Sequence, residues 1–253
     1  MENLTMAENW QLSRGLERLP HDEVHVWQAR ITLAATAKDP LVQPFRAVLA
    51  PDERERADRF FFEKDRVCFT VARGLLRMLL ANYLLCRPEA IRFSYTSYGK
   101  PFLAEPRSTL QFNISHSRDL ALFSFTHERA VGVDIEYMRD VEFAALAAHS
   151  FSAHEQETLR SLPPELVRQG FYNCWSRKEA YIKARGLGLS LPLGSFDVSL
   201  RPGEPAQLLA SREEPPQDIT RWQMVALDVA PEYAAALAVE GQDWQLRCWC
   251  YEQ

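Results

Sequence analysis

The chain contains no run of about 18 consecutive apolar residues such as a membrane span needs, no G-x-G-x-x-G dinucleotide fingerprint and no C-x-x-C. Ten glycines and fifteen prolines are too few for a collagen-like or low-complexity polymer. Basic charge is not in excess either. Lys and Arg total 29 against 34 Asp and Glu, and the net charge of -5 gives no global attraction to nucleic acid or to an anionic membrane. Any anion site must therefore be local. The five cysteines, Cys68, Cys86, Cys174, Cys248 and Cys250, are odd in number and lack paired histidines at zinc-finger spacing, which argues against a disulfide framework or a zinc site. Cys248 and Cys250 alternate with Arg247, Trp249 and Tyr251 in a terminal strand and read as packing residues. The stretch MENLTMAENWQLSRGLERLP lacks the basic start and apolar core of a secretory signal, so a cytoplasmic location is expected.

What the sequence does have is 47% apolar and 25% charged residues over 253 positions, enough for one large or two small cores and incompatible with disorder. HVWQARITL reads as a strand. PDERERADRFFFEKDRVCFTVARGLLRMLLANYLL reads as helix, broken near Glu63 to Asp65. A short strand around IRFSYT leads into the turn YGKP; FNISHS runs from a strand into a polar loop, and LALFSFT and AVGVDIE are successive strands. The second half opens with helix from Val141 to Leu162 and from Glu165 to Ala184. It closes with strands near FDVSL, RWQMVALDV, YAAALAV and WQLRCWC. Residues 1–20 and the segment from Arg201 to Asp218 look weakly structured. Helices plus an antiparallel meander in each half, without βαβ alternation, give an α+β fold.

Three constellations could carry chemistry. In GVDIE, Asp134 and Glu136 share one face of a strand while Val133 and Ile135 face the other; their Cα atoms would lie roughly 6.6 Å apart, close enough to repel or to share one hard cation. In WSRKEAYIKARGLGLSLP, Trp175, Glu179 and Lys183 form one helical stripe. Alone, that is an ordinary surface ion pair, but the apolar Trp suggests that the stripe faces protein. Anion-binding candidates form the third group. Arg66, Thr70, Arg73 and Arg77 share one side of the first long helix, opposite Val67, Val71, Leu75 and Leu79. YGKP offers Tyr98 and Lys100 around Gly99, which lets a ligand approach the backbone, and Ser115 and His116 leave a strand with a hydroxyl and an imidazole.

In this order, YGKP, FNISHS, GVDIE and WSRKEAYIKARGLGLSLP resemble the 4′-phosphopantetheinyl transferases, in particular the larger surfactin-type class, from about Pro51 to Phe196. The resemblance implies a monomer of two similar α+β halves related by a pseudo-twofold, residues 1–128 and 129–253, with coenzyme A in the cleft between them. The first half would supply nucleotide and phosphate contacts, and the second the metal carboxylates and the catalytic helix. The implied reaction transfers the phosphopantetheine arm of coenzyme A to a serine of an acyl or peptidyl carrier protein domain, releasing adenosine 3′,5′-bisphosphate. Asp134, Glu136 and Glu179 match the family's acidic metal triad and Lys183 the lysine one turn beyond, while Arg73, Tyr98, Gly99, Lys100, Ser115, His116, Asp134 and Lys183 match coenzyme A contacts. The basic residues that approach the 3′-phosphate in some members are here Glu53 and Arg56, so Glu53 is left out of the site.

Physical chemistry agrees with that implication. Three carboxylates can face a diphosphate only if a cation joins them, and Mg²⁺ accepts few protein oxygens together with phosphate oxygens. Glu179 is the candidate base, acting directly or through a metal-bound water, and Lys183 the candidate charge at the diphosphate. The stretch YMRDVEFAALAAHSF follows the carboxylates and is expected to dock the carrier through Arg139, Phe143 and Leu146. A metal-dependent nuclease or phosphohydrolase would use similar groups but would want a broad basic track. A non-catalytic coenzyme A binder would not need Asp134, Glu136, Glu179 and Lys183 together.

Overall fold

The computed structural model describes residues 10–13, 18–213 and 218–252. In chain order the elements are β1 (Gln11–Ser13), β2 (Glu23–Arg30), α1 (Gln43–Ala47), α2 (Pro51–Asp58), α3 (Glu63–Leu84), β3 (Arg92–Tyr95), β4 (Pro101–Glu105), β5 (Leu110–Ser117), β6 (Leu120–His127) and β7 (Val131–Tyr137). The second half continues with α4 (Phe143–Ser150), α5 (Ala153–Arg160), α6 (Pro164–Arg185), β8 (Phe196–Val198), β9 (Leu208–Ser211), β10 (Trp222–Leu227), β11 (Tyr233–Glu240) and β12 (Gln245–Tyr251).

The molecule is layered as helix, sheet, sheet, helix. Strands with both faces covered supply the two inner layers. On β6, Ala121, Phe123 and Phe125 join Val67, Val71, Leu75 and Leu79 of α3 in one core, and Leu120 and Leu122 turn the other way. These meet Val131, Val133 and Ile135 of β7 and Ala235, Leu237 and Val239 of β11 in a second core between the sheets. The opposite residues of β11, Ala234, Ala236 and Ala238, pack on α6 with Ala180 and Ala184 in a third. By length and mean hydropathy, 1.3, α3 is apolar enough to cross a membrane; 72% of that window is buried inside the protein, as befits a core helix. Close seating of α6 on β7 depends on Gly132, where a Cβ would run into the Ala180 carbonyl and the Ala184 nitrogen.

Several expectations are corrected here. The first long helix breaks slightly earlier than expected, between Asp58 and Glu63. Ser115 and His116 lie within β5 and not in a loop after it, because their backbone pairs with Leu122 and Ala121 of β6. The helical stretch after β7 is two helices, divided at Phe151 and Ser152, where Ser152 and Glu155 form a reciprocal N-terminal cap. The segment read as weakly structured from Arg201 contains β9, which pairs with β8; residues 214–217, like most of residues 1–20, lie outside the described residues. The meander is not purely antiparallel. β12 inserts between β1 and β2, parallel to both, so the last strand of the second half completes the sheet of the first. Cys248 on that strand packs in the core between the sheets, and all five cysteines are free thiols.

Candidate active site

Alternation along β7 sends Val133 and Ile135 into the core between the sheets and turns Asp134 and Glu136 toward α6. On α6 the stripe of Trp175, Glu179 and Lys183 faces them: Lys183 Nζ lies 2.6 Å from Asp134 Oδ1. The lysine therefore pairs across to β7 instead of along its own helix to Glu179. Ser115 completes the knot. Its hydroxyl donates to Asp134 Oδ1 at 2.9 Å and accepts from Lys183 Nζ at 2.8 Å. Asp134 is 3% exposed, and its Oδ2 is buried with no hydrogen-bond partner.

Three carboxylates, Asp134, Glu136 and Glu179, thus share the site with the Lys183 ammonium. Burial and the Asp134 charge push the Glu136 carboxyl up to about 7, against the opposing influence of Ser117 and Lys183. Burial and Asp134 likewise raise Glu179, with Lys183 again opposing. A surplus of buried negative charge with an unpartnered carboxylate oxygen suits a hard divalent cation with oxygen ligands. Among the described residues, no three His, Cys, Asp or Glu side chains are gathered tightly enough to hold a metal by themselves, and Lys183 takes up one Asp134 oxygen.

His116 points the other way from β5, toward α3, with Nδ1 3.5 Å from Cys68 Sγ. Although part of its ring reaches solvent, it sits in a crevice of protein atoms, and burial followed by the Lys183 charge lowers its pKa.

Two of the expected phosphate contacts have other partners. Arg73 is buried, 3.0 Å from Glu53, with a bond to Tyr95 Oη and its guanidinium over the Phe93 ring. Arg77 donates to the other Glu53 oxygen at 2.6 Å and to the carbonyls of Pro88 and Ile91. The basic side of α3 is thus neither a solvated face nor an open anion site. Glu53 neutralises it from α2. Lys100 is also engaged: its ammonium donates to the carbonyls of Lys183 at 2.6 Å, Val131 at 3.1 Å and Ala184 at 3.2 Å. It ties the YGKP turn, where Gly99 has φ +82° and Tyr98 is exposed, to the C-terminal end of α6. A cavity of about 230 Å³ opens beside that turn, lined from both halves by Thr96, Lys100, Phe102, Gln111, Arg185 and Gly186.

Sequence reasoning passed over several residues that build this site. Asn113 and Ser117 flank Ser115 on the same face of β5, and the alternation in FNISHS was their signal. Lys178, fully buried, bonds Glu155 Oε2 at 2.8 Å and the carbonyls of Leu193 and Phe196, fixing α6 against α5 and β8.

Residues 38–127 match the model described as 4′-phosphopantetheinyl transferase, N-terminal, and residues 130–238 match that of the 4′-phosphopantetheinyl transferase superfamily. The 4′-phosphopantetheinyl transferase HetI of Nostoc sp. is 40% identical over 233 residues, covering 91% of this chain and 93% of that protein. The chain belongs to the 4′-phosphopantetheinyl transferase family. A putative 4′-phosphopantetheinyl transferase of Synechocystis sp. is 31% identical over 88% of this chain and 87% of its own length. The transferase Sfp of Bacillus subtilis is 33% identical over 62% of this chain and 68% of its own. As a transferase of the Sfp type, with the N-terminal domain joined to the superfamily domain, the chain is an enzyme that transfers a 4′-phosphopantetheinyl group.

Proposed function

We propose that this transferase takes the phosphopantetheine arm from coenzyme A and attaches it to a serine hydroxyl of acyl or peptidyl carrier protein domains, working as a monomer with Mg²⁺. The observation that carries this is the buried, unpartnered Asp134 Oδ2 on β7, with Glu136 on the same face of that strand, Glu179 on the facing helix α6, and Lys183 between them. Those three carboxylates would hold the cation, and bound Mg²⁺ would supply charge neutralisation at the coenzyme A diphosphate.

The chain's own residues account for the rest. Lys183, 27% exposed and held at Asp134, offers positive charge to the diphosphate. Glu179, with its raised pKa, accepts the proton of the carrier serine as the serine oxygen bonds to the phosphorus that bears the pantetheine arm. The bond from that phosphorus to the bridging oxygen breaks, and adenosine 3′,5′-bisphosphate leaves. Residues 1–128 contribute the nucleotide side, where the cavity beside the YGKP turn accommodates part of the coenzyme; Ser115, beside Lys183, faces the phosphates, while His116 lies on the opposite face of β5, toward α3. Lys100 and Arg73 act there by holding the walls, since their cationic groups are already partnered. Residues 129–253 contribute the carboxylates and α6.

Carrier docking falls on α4. Leu146 on α4 and Arg139 in the loop before it are exposed, whereas Phe143 is half-buried, tilted against Phe171 and edge-on to Tyr172, and packs against the core of the second half. An exposed arginine and an exposed apolar side chain on the same segment complement an acidic, amphipathic helix. Mass spectrometry of apo carrier domains incubated with coenzyme A and Mg²⁺ tests the whole reading: the native enzyme adds one phosphopantetheine to the carrier and Asp134→Ala adds none. A folded Asp134→Ala protein with native turnover would overturn the triad. Arg139→Glu raises the KM for carrier at unchanged coenzyme A affinity; unaltered carrier kinetics would move the docking surface elsewhere.

A further inference from the structure

Among the described residues, β7, which carries Asp134 and Glu136, is paired with a neighbouring strand on one edge only, that of β11. On its other edge the N–H groups of Val133, Ile135 and Tyr137 donate to Asn113 Oδ1 at 2.9 Å, Ser115 Oγ at 3.4 Å and Ser117 Oγ at 3.0 Å. These acceptors occupy alternate positions of β5, so they stand on one face at the spacing of alternate N–H groups along β7. Carbonyls on the same edge are taken by ammonium groups, Val131 by Lys100 at 3.1 Å and Val133 by Lys183 at 3.4 Å. An edge that would otherwise need a strand is closed by side chains.

The two serines do more than close it. Ser115 accepts from the N–H of Ile135 and donates to Asp134 Oδ1, while Ser117 accepts from the N–H of Tyr137 and donates to Glu136 Oε2 at 3.3 Å. Each hydroxyl therefore fixes a carboxylate and the peptide unit just after it in one stroke. Asn113 fixes the peptide unit between Gly132 and Val133, further upstream.

We propose that Asn113 and Ser117, flanking Ser115, form a side-chain ladder from β5 that sets the register and orientation of β7, making them positioning residues for Asp134 and Glu136. The ladder joins the first half to the metal strand of the second, and it rests on the reading that these carboxylates hold the metal.

The test uses the full chain with Ser117→Ala, Ser117→Thr, Asn113→Ala and, in parallel, Asp134→Ala. Amide hydrogen exchange and Mn²⁺ binding by calorimetry are read beside single-turnover transfer. Ser117→Ala is expected to speed exchange at Tyr137 by about tenfold while α3 amides keep their native rates. It weakens Mn²⁺ binding by about threefold or more and slows transfer, with coenzyme A affinity in the absence of metal unchanged, and Ser117→Thr restores all of these. Asn113→Ala, which touches neither carboxylate, does the same with the exchange change at Val133. Native Tyr137 exchange, or native Mn²⁺ affinity in both alanine variants, overturns the ladder. If Asp134→Ala binds Mn²⁺ like the native chain, the metal reading falls and the proposal with it. Loss in Asp134→Ala without loss in either alanine variant sinks the ladder alone.

Discussion

Lys183 shows how one side chain's partner decides its role. Had it paired with Glu179 on the helix surface, its loss would matter by well under about 1 kcal/mol. It is instead held between Asp134 and Ser115, with a carboxylate surplus around it. Lys183→Ala is expected to slow single-turnover transfer by at least roughly a hundredfold, about 2.7 kcal/mol of barrier, with a smaller effect on coenzyme A binding. A rate within a few-fold of native would return it to a surface pair. His116 supports a second prediction, on stability. Its pKa in the folded protein lies below the ordinary value of 6.5, so below that pH the unfolded chain binds the extra proton more readily, and His116 subtracts stability as the solution is acidified. Urea titrations from pH 7.5 to about 5 are expected to show His116→Gln losing less stability than the native protein over that range. Equal losses would mean that the crevice does not hold the imidazole neutral. At this scale the sequence was a partial guide. The carboxylates and Lys183 were legible because strand and helix periods alone put them on facing surfaces. Arg73 and Lys100 were not, because the partners that occupy them, Glu53 and the end carbonyls of α6, come from elements whose approach no local pattern announces.

At the scale of elements, the site depends on how closely α6 lies on β7. Gly132 sits opposite Ala180 and Ala184, so small residues on both sides let the helix backbone come down onto the strand. Ala180 and Ala184 each follow a site residue, Glu179 and Lys183, so a helix lifted at those alanines carries both functional groups away from Asp134. Gly132→Ala is expected to cost at least about 1–3 kcal/mol by overpacking and to lower transfer more than the stability loss explains. A variant that unfolds at the native urea midpoint with native kcat would show that α6 has slack the contacts do not suggest. The elements themselves were largely readable: β2, β5, β6, β7, α6 and the closing strands follow from alternation and from the 3.6-residue period. The misses have local causes. β9 hides in a proline-rich segment where pairing with β8 overrides composition, and the break between α4 and α5 is set by the cap of Ser152 and Glu155 inside a stretch whose apolar pattern runs on.

The pattern of the whole molecule was the least legible, because no local period tells which half a strand will join. β12 leaves the second half and pairs with β1 and β2, while the core between the sheets is built from Val24, Val26, Leu120 and Leu122 on one side and Val131, Val133, Leu237 and Val239 on the other. Two halves sharing a core and a strand cannot expose one without stripping the other of apolar contact. Unfolding is therefore expected to be one cooperative transition, even though two family models divide the chain between them. Leu122 and Leu237 test this from opposite sides, as both are fully buried in the shared core. Leu122→Ala and Leu237→Ala are each expected to cost about 2–5 kcal/mol. Each should lower the protection of slow-exchanging amides in α3 and in α6 by the same amount, because both helices lose protection only through the same global opening. If Leu237→Ala loosened α6 while α3 kept its native protection, the halves would be separate folding units and the shared strand and core mere contact. Equal loosening in both helices by both variants places the stability of the carboxylate strand, and so of the site, in the molecule as a whole.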